Sequence, residues 1–412
     1  MRILLDARTI QDRFPGIGRY VYNLALSLAS EIDGEFLLLV SDVTRNTQYD
    51  LDVFARYPNI QLIPTDIPVR HGREQTQLPR LIRSLSPDLV HFPYFVRPIR
   101  LGIPTILTLY DVIPRRFPAY FSTPSRLSIE LLKRLAIRTS DHFVAISEAT
   151  STDFQRLYGI PAGRITVTPL APDPIFRPQA PATIADLRQR LALPKRYALY
   201  LGSNKPHKNL PRLIEAWAQC QKSEVGSRKS EVTTSNMQHT PRDASPPIPN
   251  IQYPVSGHGD ESPTTDLVIA GAWDERYPES KQMVETLNLA DSVRFLGPID
   301  NTDLPALYAG ADLFIFPSLY EGFGLPVLES MACGTPVACS NTSSLPEVAG
   351  DAALLFDPTD VDEMARVIHQ LLGDQALRRE MSAKGREQAT RFTWERTAGE
   401  TLAAYKNALR AR

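Results

Sequence analysis

Short apolar runs alternate with longer amphipathic stretches along most of this chain, and a proline-rich segment divides the alternation into two series. In the first, "RILLDA", "EFLLLV", "IQLIP", "DLVHFP", "PTILTLYD", "HFVAIS" and "RITVTPL" read as strands. Helical patterns lie between several of them: around "GRYVYNLALSLAS", Ile17, Tyr20, Val21, Leu24 and Leu28 recur at the spacing of one helix face. In the second, "YALYLG", "DLVIAG", "SVRFLG", "LFIFPS", "PVACS" and "ALLFD" are the strands. Strands linked through helices run parallel, and the helices cover both faces of the sheet. The expected fold is therefore α/β, with two tandem doubly wound Rossmann-like domains. Ligands of such sheets bind at the carboxyl ends of the strands, and a facing pair leaves a cleft between them.

At 412 residues the chain exceeds what one core usually organises, since domains run to roughly 150–200 residues. The boundaries read as an N-terminal domain over 1–175, a linker over 176–195, a second domain over 196–385 and a C-terminal helical segment over 386–412. That last helix is long enough to cross between domains. Residues 221–265 are polar, rich in Ser, Thr and Pro, and poor in branched apolar side chains. Such a segment buries too little surface to offset its ordering entropy, so a disordered insertion is expected there.

Net charge is −1, with a small basic excess over the first 180 residues, so no global field marks nucleic acid as a partner. Cys220, Cys333 and Cys339 are sparse, odd in number and without metal-ligand spacing, which fits free thiols in a reducing cytosol. The start carries Asp6 and Arg8 where a signal peptide is apolar, and no stretch reaches the roughly 18 apolar residues of a membrane span. A cytoplasmic location is expected, with peripheral contact at the inner face of the cell membrane as its variant. The segment "SRLSIELLKRLAIR", with Arg126, Lys133, Arg134 and Arg138, is either a solvated basic face or a surface for anionic membrane.

The chemistry concentrates in "SLYEGFGLPVLESMACGTPV", where Glu321 and Glu329 flank a glycine–proline turn after an apolar strand. Pro326 suits a first helical turn, and Gly322 and Gly324 let the backbone approach a ligand closely. The helix start then offers free N–H groups and a positive dipole end to a phosphate. The carboxylates, repelled by phosphate, would accept hydroxyls on either side of it. A nucleoside diphosphate sugar has that pattern, with the ribose diol for Glu329 and the sugar for Glu321. In "GSNKPHKNL" a strand runs into a tight loop and then Lys208, whose ammonium either neutralises the diphosphate or is solvated. "FPGIGRY" is a second glycine turn, and Val21 at its third glycine position argues against a dinucleotide.

These stretches, with "LAPDPIF", "LPALYAGADLFIFPSLYEGFGLPVLESMACGTPV" and "LPEVAGDAALLFDP", resemble the retaining, GT-B-fold glycosyltransferases of family four, in their mannosyltransferase-like branch. The resemblance extends over most of the chain except 221–265. It implies transfer of a hexose, in particular mannose from GDP-mannose, to a hydroxyl of a glycan or lipid-linked acceptor. No metal and no cofactor are implied beyond the nucleotide sugar, because Lys208 and the amides of Gly322, Phe323, Gly324 and Leu325 would stabilise the leaving diphosphate. Ser203 lies where many relatives contact the donor. Gly16 and Gly18 either line the donor or acceptor side or form a structural turn.

Tyr110, in "ILTLYDVIP", stands where relatives often carry a histidine that positions the sugar, so it would keep a hydrogen bond but no cationic charge. Asp111 is either a cleft carboxylate or a turn residue. Glu347 is either near the nucleotide or at a helix start, and His91 is either packed or functional. Two other readings stand beside the transferase: a non-catalytic sugar-nucleotide binder, and a sugar-nucleotide epimerase or hydrolase on the same two-domain fold.

Overall fold

The computed structural model describes residues 1–42, 46–120, 122–232 and 265–410. Strands β1 (Arg2–Asp6), β2 (Glu35–Ser41), β3 (Ile60–Thr65), β4 (Leu89–Phe92), β5 (Thr105–Leu109), β6 (His142–Ala145) and β7 (Ile165–Val167) form one parallel sheet. Its order is β3-β2-β1-β4-β5-β6-β7. Strands β8 (Tyr197–Leu201), β9 (Asp266–Ala270), β10 (Val293–Gly297), β11 (Leu313–Phe316), β12 (Val337–Ser340) and β13 (Ala353–Phe356) form the second, also parallel. Its order is β10-β9-β8-β11-β12-β13. Strand order therefore reverses between β1 and β4 in the first sheet and between β8 and β11 in the second. Those crevices are where ligands of open α/β sheets bind.

The first sheet carries α1 (Pro15–Ala29), α2 (Leu78–Ser84), α3 (Ile113–Arg116), α4 (Thr123–Thr139) and α5 (Glu148–Tyr158). Between the sheets, α6 (Pro181–Arg190) occupies the proline-rich stretch. The second sheet carries α7 (Leu210–Val232), α8 (Glu279–Thr286), α9 (Leu304–Ala309), α10 (Leu325–Ala332), α11 (Leu345–Ala349), α12 (Val361–Gly373) and α13 (Gln375–Thr390). Strands β5, β9 and β11 are buried along their whole length and are mostly apolar, as two-sided coverage demands.

One expectation needs correction. Helix α7 continues to Val232, past the start expected for the insertion at residue 221. No proline interrupts the chain between Pro211 and Pro241, so nothing covalent stops the helix there. The rest of the expected insertion, residues 233–264, lies outside the described residues.

Helix α14 (Trp394–Arg410) carries the chain back onto the first domain, packing on α1 and on β5, β6 and β7. Trp394 Nε1 donates to Pro172 O (3.2 Å) and Thr397 Oγ1 to Pro169 O (2.6 Å). His91, fully buried, completes this joint: Nδ1 pairs with the Tyr405 hydroxyl (2.9 Å) and Nε2 with Thr108 Oγ1 (2.8 Å). Burial pushes its pKa down to about 3, so the ring is neutral and His91 is a packed residue.

Candidate active site

The loops after β8 and β11 meet at the crevice of the second sheet. Lys208 ends a single 3-10 turn (Pro206–Lys208) rather than opening the helix, which starts at Leu210 after the left-handed Asn209 (φ 61°). That turn aims the ammonium at Glu321: Nζ to Oε1 is 2.6 Å, with both side chains largely buried. The Lys208 ammonium also lies 5.1 Å from the Phe316 ring centroid. On the other side of the loop, Ser343 Oγ accepts the Glu321 amide (2.9 Å). The amides of Gly322, Phe323, Gly324 and Leu325 donate to no acceptor among the described residues. Four consecutive free donors beside a lysine make an anion cradle.

The two glycines of this turn also make room for protein contacts. A Cβ at Gly322 would stand 2.2 Å from the Tyr110 carbonyl oxygen of the first domain. At Gly324 (φ 107°) it would stand 2.6 Å from Leu345 Cδ2. The Gly322 carbonyl accepts from Ser147 Oγ (2.7 Å) and Thr150 Oγ1 (3.0 Å), both of the first domain. Glu347 likewise works across the joint, its carboxylate accepting the Glu148 amide (3.0 Å) at the start of α5. It is a helix cap here.

Glu329 lies inside α10 and is 3% exposed. Its oxygens are already engaged: Arg19 Nη1 donates to Oε1 (2.7 Å) and the Tyr308 hydroxyl to Oε2 (3.1 Å). Arg19 belongs to α1 of the first domain, and its Nη2 reaches Asn301 Oδ1 (2.9 Å). Burial raises the Glu329 pKa, and Arg19 opposes the rise. Arg19 thus holds the carboxylate that the sequence assigns to a ribose diol. The glycines of "GIGRY" draw attention away from its arginine, whose partner lies 310 residues away and is met only in the fold.

The first-domain candidates divide. Tyr110 packs edge-on to Tyr20 (5.7 Å between ring centroids), and its hydroxyl is buried with no partner among the described residues. Asp111 acts as a turn residue, Oδ1 accepting the Ile113 amide (2.9 Å). Gly18 is structural, since a Cβ there would meet Thr9 O at 2.8 Å, whereas Gly16 is exposed with open space beside it. Arg8, fully buried, pins the loop between them and β1 through Asp6 (2.7 Å) and Glu74 (2.9 Å). Ser203 sits in the β8 loop, its carbonyl accepting the Tyr200 hydroxyl (2.7 Å).

A cavity of about 170 Å³ opens at the carboxyl ends of β8, β9 and β10, with Gly202, Asn204, Gly271, Trp273, Lys281 and Gly297 among its walls. Trp273 Nε1 is buried there without a partner among the described residues, and Lys281 Nζ lies 4.4 Å from the indole centroid. Neither residue was singled out from the sequence.

Two parallel α/β domains closing an anion cradle into an interdomain cleft define a GT-B glycosyltransferase architecture. Residues 15–174 match the family model described as Glycosyltransferase Family 4, and residues 258–388 match Glycosyl transferases group 1. O-antigen chain mannosyltransferase B of Escherichia coli is 30% identical over 425 residues, covering 98% of this chain and all of the relative. Sucrose-phosphate synthase of Thermosynechococcus elongatus has the same fold (TM-score 0.69, 21% identity, 100% of this chain and 99% of that one). So does HepE of Anabaena in complex with UDP and glucose (TM-score 0.69, 20% identity, 98% of each chain). The chain belongs to glycosyltransferase family 4, in its mannosyltransferase-like branch, and is a hexosyltransferase.

Proposed function

We propose that this enzyme moves mannose from GDP-mannose, with retention at the anomeric carbon, to a hydroxyl of a glycan or lipid-linked acceptor met at a membrane surface. The observation that carries the reading is the Lys208–Glu321 pair beside the free amides of 322–325. In this reading the diphosphate takes the amides and the Lys208 ammonium, releasing Glu321 toward the sugar hydroxyls. The bond from the anomeric carbon to the distal phosphate oxygen breaks, the acceptor oxygen bonds to that carbon, and the acceptor's hydroxyl proton passes to the departing phosphate oxygen. Charge then grows on the phosphate, where fixed donors are worth most, so no metal is required to neutralise it. Glu329 accepts the ribose diol once Arg19 has let go of it. The full-length relative named as a mannosyltransferase supports the choice of sugar.

Calorimetry with GDP-mannose, UDP-glucose and their nucleotides tests the donor. Tight binding of GDP-mannose, with GDP released only when an acceptor is added, is the expected result. Binding of UDP-glucose in its place overturns the donor, and GDP release without acceptor overturns transfer.

A further inference from the structure

The large apolar side chains left exposed among the described residues are Met1, Leu127, Leu131 and Ile175. Leu127 (61% exposed) and Leu131 (58%) stand one turn apart on α4 and share a face. Single exposed leucines are ordinary on a soluble protein; an adjacent pair with a charged border of one sign is not. Exposed Arg134 and Arg138 continue the stripe toward the end of the helix, and half-buried Arg126 flanks its beginning. No exposed residue of α4 is acidic. The one carboxylate of the helix, Glu130, is spent on Arg115 (3.2 Å), Arg134 (2.8 Å) and the Tyr158 hydroxyl (2.9 Å).

The same segment reaches the cleft. Lys133, on the buried side of α4, donates from Nζ to the Asp111 carbonyl (3.2 Å) at the end of β5. Just before α4, Phe117 and Tyr120 stack on each other and lie 5.6 and 5.5 Å from the His207 ring, next to Lys208. The apolar–basic face of α4 therefore begins beside the mouth of the active site and extends about 18 Å from Arg126 to Arg138 at the rise of a helix.

We propose that this face of α4 docks on an anionic lipid bilayer, Leu127 and Leu131 entering the interfacial layer while Arg126, Arg134 and Arg138 meet lipid phosphates. The proposal rests on the reading above that the acceptor is met at a membrane. Charge complementarity selects the occupant, because a basic rim around an apolar patch matches a surface with negative headgroups over hydrocarbon. Docking there sets the cleft mouth at the headgroup layer.

Sedimentation of the whole protein with phosphatidylglycerol–phosphatidylcholine vesicles and with pure phosphatidylcholine vesicles tests this without donor or acceptor, so its outcome stands apart from that of the donor assay. The wild type is expected to sediment with the anionic vesicles and to be released as salt rises. Leu127→Ser/Leu131→Ser should lower the partition coefficient at least tenfold, and Arg134→Gln/Arg138→Gln should lower it less and flatten the salt dependence. Both variants should keep the wild-type melting temperature and turnover on a soluble acceptor. A wild type that stays in the supernatant, or a leucine variant that sediments equally, overturns the proposal. So does a wild-type dimer in light scattering that the leucine variant abolishes without vesicle binding, since the face would then belong to a second copy.

Discussion

The carboxyl-end loops of the two sheets are built for different partners. In the second domain, the loops 202–209 and 317–324 turn their groups toward each other: Lys208 meets Glu321 at 2.6 Å, and the amides of 322–325 have no acceptor among the described residues. In the first domain, the corresponding loops spend their polar groups on the second domain. Arg19 grips Glu329, Ser147 and Thr150 grip the Gly322 carbonyl, and the Tyr110 carbonyl fills the space a Gly322 side chain would need. One half carries the proposed donor site, and the other half packs onto it. Catalytic losses should therefore follow the second domain, and conformational effects the first.

Lys208→Ala breaks that comparison most severely. Removing one fixed donor to a departing oxyanion costs about 10²–10³ in rate. We expect kcat and kcat/KM to fall together, because the contact strengthens as charge moves onto the phosphate. Unchanged steady-state kinetics would move the leaving-group site elsewhere. Glu329→Gln comes next: a charged hydrogen bond to the ribose is worth about 1.5–3 kcal/mol. Free GDP and GDP-mannose should weaken alike in calorimetry, whereas Glu321→Gln should spare free nucleotide and impair transfer.

The loop proposed to hold the donor stands out in the sequence because its residues are contiguous. "EGFGLPVLE" carries strand end, glycines, helix start and both carboxylates within a few residues, and each has a local physical meaning. The βα alternation was legible for the same reason. Arg19, Ser147 and Thr150 were not, because their partners lie 310, 175 and 172 residues away, and nothing in "GIGRY" or "ISEAT" states which carboxylate or carbonyl they will meet. The Trp273 and Lys281 walls escaped notice similarly: aromatic and basic residues after a strand are common, and only the fold closes them around a cavity. At Gly322, only the packed pair of domains shows that the Tyr110 carbonyl also needs the space a side chain would take.

Arg19→Gln sharpens the comparison through pH. Burial raises the Glu329 pKa and Arg19 opposes that rise, so losing the arginine raises it further. A carboxyl whose folded pKa is raised binds its proton more tightly in the closed protein. It favours the closed form at low pH and loses that contribution as pH climbs through the folded value. From about pH 5 upward, above the ordinary carboxyl pKa, the variant's melting temperature should therefore decline more steeply than the wild type's. Small-angle scattering should show it more expanded at pH ~8 than at pH ~5. Parallel pH profiles would remove Arg19 from the closure of the domains.

The smallest expected effect is at Tyr110, where both halves meet. Its hydroxyl is buried without a partner among the described residues, a burden of about 1–3 kcal/mol for an unsatisfied group. Tyr110→Phe deletes that oxygen and leaves the ring against Tyr20, so the melting temperature in the absence of substrate should rise. If the donor sugar supplies the missing partner, the same variant loses one neutral hydrogen bond, on the order of 1 kcal/mol, and transfer falls several-fold while GDP affinity holds. Higher stability with lower turnover is the expected pair of results. It would mark the hydroxyl as a group kept unsatisfied for the substrate, the one place where the first domain contributes chemistry rather than closure. A rise in stability with turnover unchanged would instead leave the first domain a lid.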